Sequence, residues 1–401
     1  MADDADSNMM TGSDDKHPPV VLQILPSLVT GGVERGTVDV ARTLAEEGWH
    51  SMVASSGGPM VRELTRAGVT HLELPAESKN PMVMRANIDR LARIIRDHHV
   101  DIVHARSRAP AWSALAACRR TDTCFVTTFH GTYDTSLPFK RMYNSVMARG
   151  QRIIAISDFI ARHLVETYKT NPARITVIHR GVDFTLFDPQ NVSAERLVKL
   201  SQDWRLADGE PVIMLPGRLT DWKGQRVLLA ALARLPTRNY RCLFVGDDQG
   251  RTGYRRELEG LIEKFELQSV VQLVGNCTDM PAAYMQADVI VSASTKPEAF
   301  GRVIVEAQAM GKSVIATDHG AAPELILLEK TGWLVPPADP AALADQLEFV
   351  MRLGSSERET LAREARAHVR GHFSKESMCS ATLDVYRRVL TERETGCAVA
   401  A

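Results

Sequence analysis

Short apolar runs alternate with longer amphipathic stretches along most of this chain. In the first half the runs are VVLQILPSL (20–28), HSMVASS (50–56), THLELP (70–75), VDIVHA (100–105), CFVTTF (124–129) and the apolar RIIAIS that ends at residue 157. Between them lie segments with apolar residues at helical spacing, such as NIDRLARIIRDHH (87–99) and APAWSALAACRR (109–120). The runs are continuous rather than alternating, which predicts strands buried on both faces in a parallel sheet. Strands alternating with helices through short connections predict a doubly wound, Rossmann-like α/β domain. After a polar stretch around Asp203–Glu210 the pattern starts again with PVIMLP (211–216), YRCLFVG (240–246), SVVQLVG (269–275) and ADVIVSAS (287–294). The chain therefore predicts two such domains, 18–205 and 206–375, after an acidic, polar tail over 1–17 read as disordered. The last segment, 376–401, contains helix-spaced apolar residues and a tail.

Composition narrows this picture without redirecting it. A chain of 401 residues suits two domains, and 44% hydrophobic with 24% charged residues suits a globular protein with a full core. A net charge of −1 gives no sign of nucleic-acid binding. Cysteines 118, 124, 242, 277, 379 and 397 form no CxxC pair or zinc-like spacing and read as reduced thiols. No apolar run is long enough to span a bilayer, and the N-terminus lacks signal-peptide character, so a cytoplasmic location is expected.

The candidate chemistry gathers where strands end. ADVIVSAS runs into TKPEAFGRVIVEAQAMGKSVIATDHGAAPE, with Glu298 in the loop and Glu306 eight positions on, inside a helix starting near Gly301. The glycine turns the chain at the helix entry and leaves the amides of Arg302 and Val303 free, a ready phosphate site. A carboxylate on each side can accept hydrogen bonds from hydroxyls, one from a hexose and one from a ribose, so the stretch points to a sugar nucleotide. After PVIMLP, Gly217-Arg218 and Lys223-Gly224 place two cations where a diphosphate leaving group would need neutralising. Gly31 and Gly32 after the first strand allow close backbone approach to a ligand. GxGxxG is missing from that turn, which argues against a nicotinamide cofactor. His130 stands at the tip of the strand FVTTF, able to donate to a sugar hydroxyl or a leaving oxygen. Asp247 and Asp248 are adjacent rather than spaced as a metal-binding D-x-D. They are read as capping the helix YRRELEGLIEKF or touching ribose, and no metal cluster is apparent.

These motifs resemble those of the retaining GT-B glycosyltransferases of family GT4. Glu298, Ala299, Phe300, Gly301 and Glu306 match its E-x7-E motif, and Gly217, Arg218, Lys223 and Gly224 match its G-R-x-x-x-x-K-G pattern. The resemblance spans roughly Val20 to Arg393 and implies two Rossmann-like domains facing a central cleft, with the last helix crossing back onto the first domain. It implies transfer of a hexose from a nucleoside diphosphate to an acceptor hydroxyl with retained configuration, without a metal or other cofactor. His130, Arg218, Lys223 and Glu298 form the implied catalytic set, with Glu298 orienting the sugar rather than attacking it. The implied donor contacts are Gly31, Gly32, Arg218, Lys223, Phe300, Gly301, Arg302, Val303, Glu306 on ribose, and Val274 in the base-recognition loop.

The chain departs from the family at HRGVD, where Arg180 replaces the usual Asn, and at Ala321, which replaces a second glycine after Gly320. LPSLVTGGVERGTVDVA, DIVHARSRAPAW and TTFHGTY look like alphaproteobacterial lipopolysaccharide-core mannosyltransferases. That implies GDP-mannose as donor and an anionic, lipid-linked acceptor. Arg106 and Arg108, with His104, could meet such an anion or pair locally. The basic, apolar helix LPFKRMYNSVMARG (137–150) could rest on anionic lipid at the inner face of the cytoplasmic membrane, or be merely solvated. A UDP-hexose donor, a GT-B sugar-nucleotide epimerase and a non-catalytic sugar-nucleotide binder stand as alternatives.

Overall fold

The computed structural model describes residues 17–29 and 31–396. Apart from His17, the expected tail 1–17 lies outside the described residues, as does Cys397. The five described cysteines are free thiols, all buried except the half-buried Cys277.

The first half forms a seven-stranded parallel sheet. Its strands are β1 (Val20–Ile24), β2 (His50–Ser55), β3 (Thr70–Glu73), β4 (Ile102–Ala105), β5 (Cys124–Phe129), β6 (Arg152–Ala155) and β7 (Ile175–Val177), in the order β3-β2-β1-β4-β5-β6-β7. The second half repeats the plan with β8 (Val212–Pro216), β9 (Arg241–Val245), β10 (Val271–Gly275), β11 (Val289–Ser292), β12 (Ser313–Thr317) and β13 (Trp333–Val335). These pair in parallel in the order β10-β9-β8-β11-β12-β13. Every residue of β1 and β8 is buried, as the unbroken apolar runs require of strands covered on both faces. The strand order reverses between β1 and β4 and between β8 and β11, and open α/β sheets bind ligands outside the carboxyl ends of the strands at such points.

One face of the first sheet is completed from the far end of the chain. Helix Lys375–Thr395 begins at Ser374, whose hydroxyl accepts from the Ser377 amide at 3.1 Å. Its Met378, Leu383, Tyr386 and Val389 are buried together with Val21 of β1, Ile102 of β4 and Val126 of β5. The Tyr386 hydroxyl lies 2.6 Å from Nδ1 of His104, whose Nε2 lies 2.7 Å from the Thr128 hydroxyl. His104 is therefore a satisfied core residue, not the cleft-side group its position at a strand end predicts. Farther along the helix, Glu392 pairs in two-pronged fashion with the guanidinium of Arg152 on β6.

The two sheets meet along a hydrogen-bonded seam. Glu324, from the second half, accepts from the amides of Asp158 and Phe159 at 2.8 and 2.6 Å, at the start of helix Asp158–Tyr168. A carboxylate on the open N–H groups of a helix start is favourable in charge as well as in hydrogen bonding. Ser157, the N-cap of that helix, donates to the Ala299 carbonyl at 2.7 Å. The Val182 amide donates to the Phe373 carbonyl at 2.8 Å where the chain crosses back.

Replacing Glu392 by Ala leaves the Arg152 guanidinium, almost wholly buried, without its carboxylate. The expected loss is about 3 kcal/mol of folding stability, read as a lowered midpoint in urea unfolding with an unchanged slope.

Candidate active site

The carboxyl ends of both sheets open onto one cleft of about 710 Å³. On the second-sheet side, β8 ends at Pro216 and delivers Gly217 and Arg218 to the rim. A single 3-10 turn, Asp221–Lys223, is closed by Gly224 at φ 79°, where a β-carbon would stand 1.8 Å from the Ala293 carbonyl oxygen. Only glycine fits, which explains the Lys-Gly pair and holds the Lys223 turn against the end of β11. Lys223 Nζ lies 2.8 Å from Glu298 Oε1 and 4.7 Å from the centre of the Trp222 ring. The Ser294 hydroxyl donates to the same carboxylate oxygen. Glu298 thus faces the cleft with one oxygen tied down, and the Ala321 amide fixes its backbone by donating to its carbonyl at 3.0 Å.

Helix Arg302–Ala309 starts from Gly301, at φ 99°, with no side chain capping it. Its first turn lines the cleft through Arg302 and Val303. Phe300 lies between His179 and Phe373, each ring centre 6.1 Å away, so it is mainly a buried hinge of aromatic packing beneath the cleft floor. On the first-sheet side stand Gly32, His130 and Arg180. Five cationic side chains, Arg180, Arg218, Lys223, Lys296 and Arg302, line the cleft against the single carboxylate of Glu298. Such an excess of positive charge in a concave site favours a polyanionic ligand.

The structure brings Gly32, His130, Arg218, Lys223, Glu298, Phe300, Gly301, Arg302 and Val303 to this one cleft. Gly31, Val274 and Glu306 do not line it. Gly31 precedes the helix Gly32–Glu46. Val274 sits on β10 at the sheet's edge and packs against the core. Glu306 is buried one turn inside its helix, accepting from the Tyr284 hydroxyl at 3.0 Å and from Arg302 at 2.6 Å. Arg106 is buried and Arg108 turns to Asn144 at 2.7 Å and stacks 3.8 Å over Tyr133, so the expected basic trio is dispersed. Asp248 accepts from the Gly250 amide at 2.8 Å and shapes the turn, while the following helix has no side-chain cap.

Burial, reinforced by Arg180, Arg106 and His104, holds the His130 imidazolium well below the ordinary histidine range. His130 is neutral at neutral pH, and its Nε2 is buried without a partner. Sequence reasoning missed two features. The Lys223–Glu298 pair joins motifs 75 residues apart, and no local pattern announces it. Arg180 and Lys296 as cleft cations were signalled only by the departure from Asn at HRGVD and by a lysine beside Pro297.

Residues 30–186 match the family described as Glycosyltransferase Family 4, and residues 199–368 match that described as Glycosyl transferases group 1. A crystal structure of a glycosyltransferase from Rickettsia africae superposes with a TM-score of 0.86 at 41% identity, covering 94% of this chain and 99% of that one. Among curated proteins, the D-inositol 3-phosphate glycosyltransferase of Xylanimonas cellulosilytica is 29% identical over 90% of this chain and 93% of its own length. The Anabaena HepE protein, solved in complex with UDP, shares the fold with a TM-score of 0.80 at 23% identity, over 92% of this chain and all of its own.

Because the His130 pKa is lowered, the unfolded chain binds a proton on this side chain at pH values where the folded protein does not. Stability is therefore full above the ordinary histidine range and falls as pH drops below it. Urea midpoints measured from about pH 7.5 down to 5 should decline, and less steeply in His130→Gln. An unchanged slope would show that His130 does not titrate this way.

Proposed function

Because the chain belongs to the family 4 glycosyltransferases with the GT-B fold, we propose that it moves mannose from GDP-mannose to a hydroxyl of a lipopolysaccharide-core or other lipid-linked glycan acceptor, with retained configuration. The observation that carries the donor half is the convergence of Arg218, Lys223 and the uncapped start of helix Arg302–Ala309 on one cleft wall. Fixed cations and open amides favour the diphosphate when it is bound and more so as charge builds on its leaving oxygen. The bond from the sugar's anomeric carbon to that oxygen breaks, and the acceptor oxygen forms a new bond on the same face. The acceptor's proton passes to the departing phosphate oxygen, so no separate protein base is required. Glu298, one oxygen held by Lys223 and Ser294, orients the sugar hydroxyls with the other. His130, neutral and unpaired at Nε2, donates or accepts one hydrogen bond to the sugar or leaving group. The side-chain cations supply the neutralising charge that a divalent ion would otherwise bring, so turnover is expected to survive chelation. A UDP-hexose donor is the second reading, favoured by the UDP seen on the HepE fold neighbour.

The acceptor half of the reading is supported by one exposed surface. Leu137, Phe139 and Met142 are 44%, 61% and 63% exposed and stand beside Lys140, Arg141 and Arg149 on the segment after the His130 strand. Apolar groups flanked by cations suit an anionic lipid surface, placing the enzyme peripherally at the inner face of the cytoplasmic membrane. No helix among the described residues is long and apolar enough to cross a membrane.

Thermal shift and slow donor hydrolysis with GDP-mannose, UDP-glucose, UDP-galactose and UDP-N-acetylglucosamine, in the presence of a chelator, should single out GDP-mannose. Preference for a UDP-sugar would replace the donor and keep the mechanism. Glu298→Gln should lower turnover by about 10²-fold while keeping the thermal shift given by the nucleoside diphosphate alone; undiminished turnover would remove its orienting role. On vesicles of phosphatidylglycerol, Phe139→Ser with Met142→Ser should reduce co-sedimentation by about 10-fold. Binding equal to wild type, or equal on phosphatidylcholine, would sink the membrane assignment.

A further inference from the structure

His130 is the first residue past β5, where the direction of a side chain is left to the turn that follows. Its Nε2 is buried without a partner, so no bond at that atom fixes the ring. The chain then turns through Gly131 and Thr132, both on the cleft wall, and runs without helix or strand to Leu137. These two residues do little to hold the turn. A β-carbon on Gly131 would meet nothing within 4 Å, and Thr132 is exposed. Asp134 accepts from the Ser136 amide at 2.9 Å and from Lys140 at 2.6 Å, but these contacts are exposed, and exposed pairs stabilise little.

The stronger anchor is Tyr133. Its ring centre lies 4.9 Å from that of Phe129 at the end of β5, and its hydroxyl meets the His130 backbone. Burial raises the Tyr133 phenol above its ordinary range, against the pull of Arg108, so the hydroxyl is uncharged at neutral pH. Arg108 opens the helix Arg108–Thr121 and lays its guanidinium 3.8 Å from the centre of the Tyr133 ring. The same guanidinium donates to Asn144 Oδ1 at 2.7 Å, and Asn144 Nδ2 donates to the Asp134 carbonyl at 2.9 Å. Asn144 is 2% exposed, so these bonds are made away from water, where an unpaired group is expensive. One turn along the helix, Trp112 donates to the Tyr143 carbonyl at 3.0 Å. A planar guanidinium stacks and hydrogen-bonds at once, which an ammonium does not.

We propose that Arg108 and Tyr133 are positioning residues of the active site, holding the turn after β5 so that His130 keeps its open Nε2 at the cleft. The inference rests on the glycosyltransferase reading and adds to it the residues that set His130. Neither Arg108 nor Tyr133 lines the cleft, so an effect of either on turnover passes through the turn they hold. Arg108 fixes both ends of that turn, Tyr133 by its ring and Asp134 by way of Asn144. A hydrogen-bonding group displaced by about 1 Å loses much of its effect on a reaction, so a latch behind the imidazole has a kinetic consequence.

The test is a double-mutant cycle in the full chain, read by two measurements. Slow hydrolysis of GDP-mannose and of UDP-glucose gives kcat and KM for wild type, Arg108→Gln, His130→Gln and the two combined. Arg108→Gln should lower kcat about 10-fold with KM unchanged, and should lower it no further once His130 is already Gln. Tyr133→Leu should repeat this pattern, and Arg108→Lys, which keeps a cation by the ring without the planar stack, should lie between. Equal losses in the two backgrounds would overturn the proposal, because Arg108 would then act by a route other than His130. The second measurement needs no turnover. In nitrogen-15 histidine spectra the His130 ring signals, assigned by their absence in His130→Gln, should shift or broaden in Arg108→Gln and Tyr133→Leu. If Arg108→Gln does not fold, Arg108→Lys takes its place in both measurements. Unmoved His130 signals would overturn the proposal whatever the kinetics show. Hydrolysis of neither sugar nucleotide would count against the glycosyltransferase reading alone, since the spectra still decide what holds His130.

Discussion

Converging positive charge is the constraint around which this molecule is arranged. Two parallel sheets turn their carboxyl edges toward one cleft, and the loops at those edges bring five cationic side chains against one carboxylate. Like charges drawn together in one cleft repel, so the protein must hold them by other means. It does so with two carboxylates, one facing the cleft and one buried beneath it. Glu298 anchors Lys223, and Glu306, itself held by Tyr284, anchors Arg302. The two glutamates stand at opposite ends of the same loop and helix entry, so one short segment positions cations contributed from both sides of it. A polyanion entering the cleft relieves the repulsion among all of them at once, which couples ligand binding to the fit between the two sheets.

That fit depends on contacts made away from the charge. Glu324 caps a helix of the first half, Ser157 reaches the Ala299 carbonyl beside Glu298, and the final helix returns to bury its apolar face on β1, β4 and β5. The Ser157 contact ties the loop that carries Glu298 directly to the opposite domain. Movement of one sheet relative to the other would therefore be felt at the Glu298 carboxylate. The Arg152–Glu392 pair and the Tyr386–His104–Thr128 chain lock the returning helix to the strands that present His130 and Arg106. Positioning of the first-sheet wall is thus assigned to the last helical segment of the chain.

Most of the architecture was legible because it rests on local signals. Unbroken apolar runs such as VVLQI and VIMLP become wholly buried parallel strands, and Gly224 and Gly301 sit at positive φ where the motifs place them. Arg218, Lys223, Glu298 and Gly301 reach one cleft because each follows directly on a strand or opens a helix. What was not legible depends on distant partners. His104 ends a strand as His130 does, yet a tyrosine 282 residues away satisfies it and removes it from the cleft. Arg108 is held by Asn144 and Tyr133, whereas Arg106, two residues earlier, is buried with its Nε unpaired. Adjacent arginines with the same local sequence character end with different roles because the strand's end turns one inward and the following helix carries the other outward.

The two walls of the cleft differ in how they are written into the chain. The second-sheet wall is built from two compact motifs, each a strand end with its own turn and helix, so spacing alone displays it. The first-sheet wall is assembled from single residues after β1, β4, β5 and β7, with Gly32, His130 and Arg180 lining the cleft and Arg106 buried. No spacing rule joins four separate strand ends, and only the folded sheet sets them side by side. Substitution at any one of them changes what the wall can recognise without disturbing a strand or a motif. Arg180, standing where the family pattern has asparagine and given room by Gly36, is the residue through which this chain's first-sheet wall departs from that pattern in charge as well as in shape.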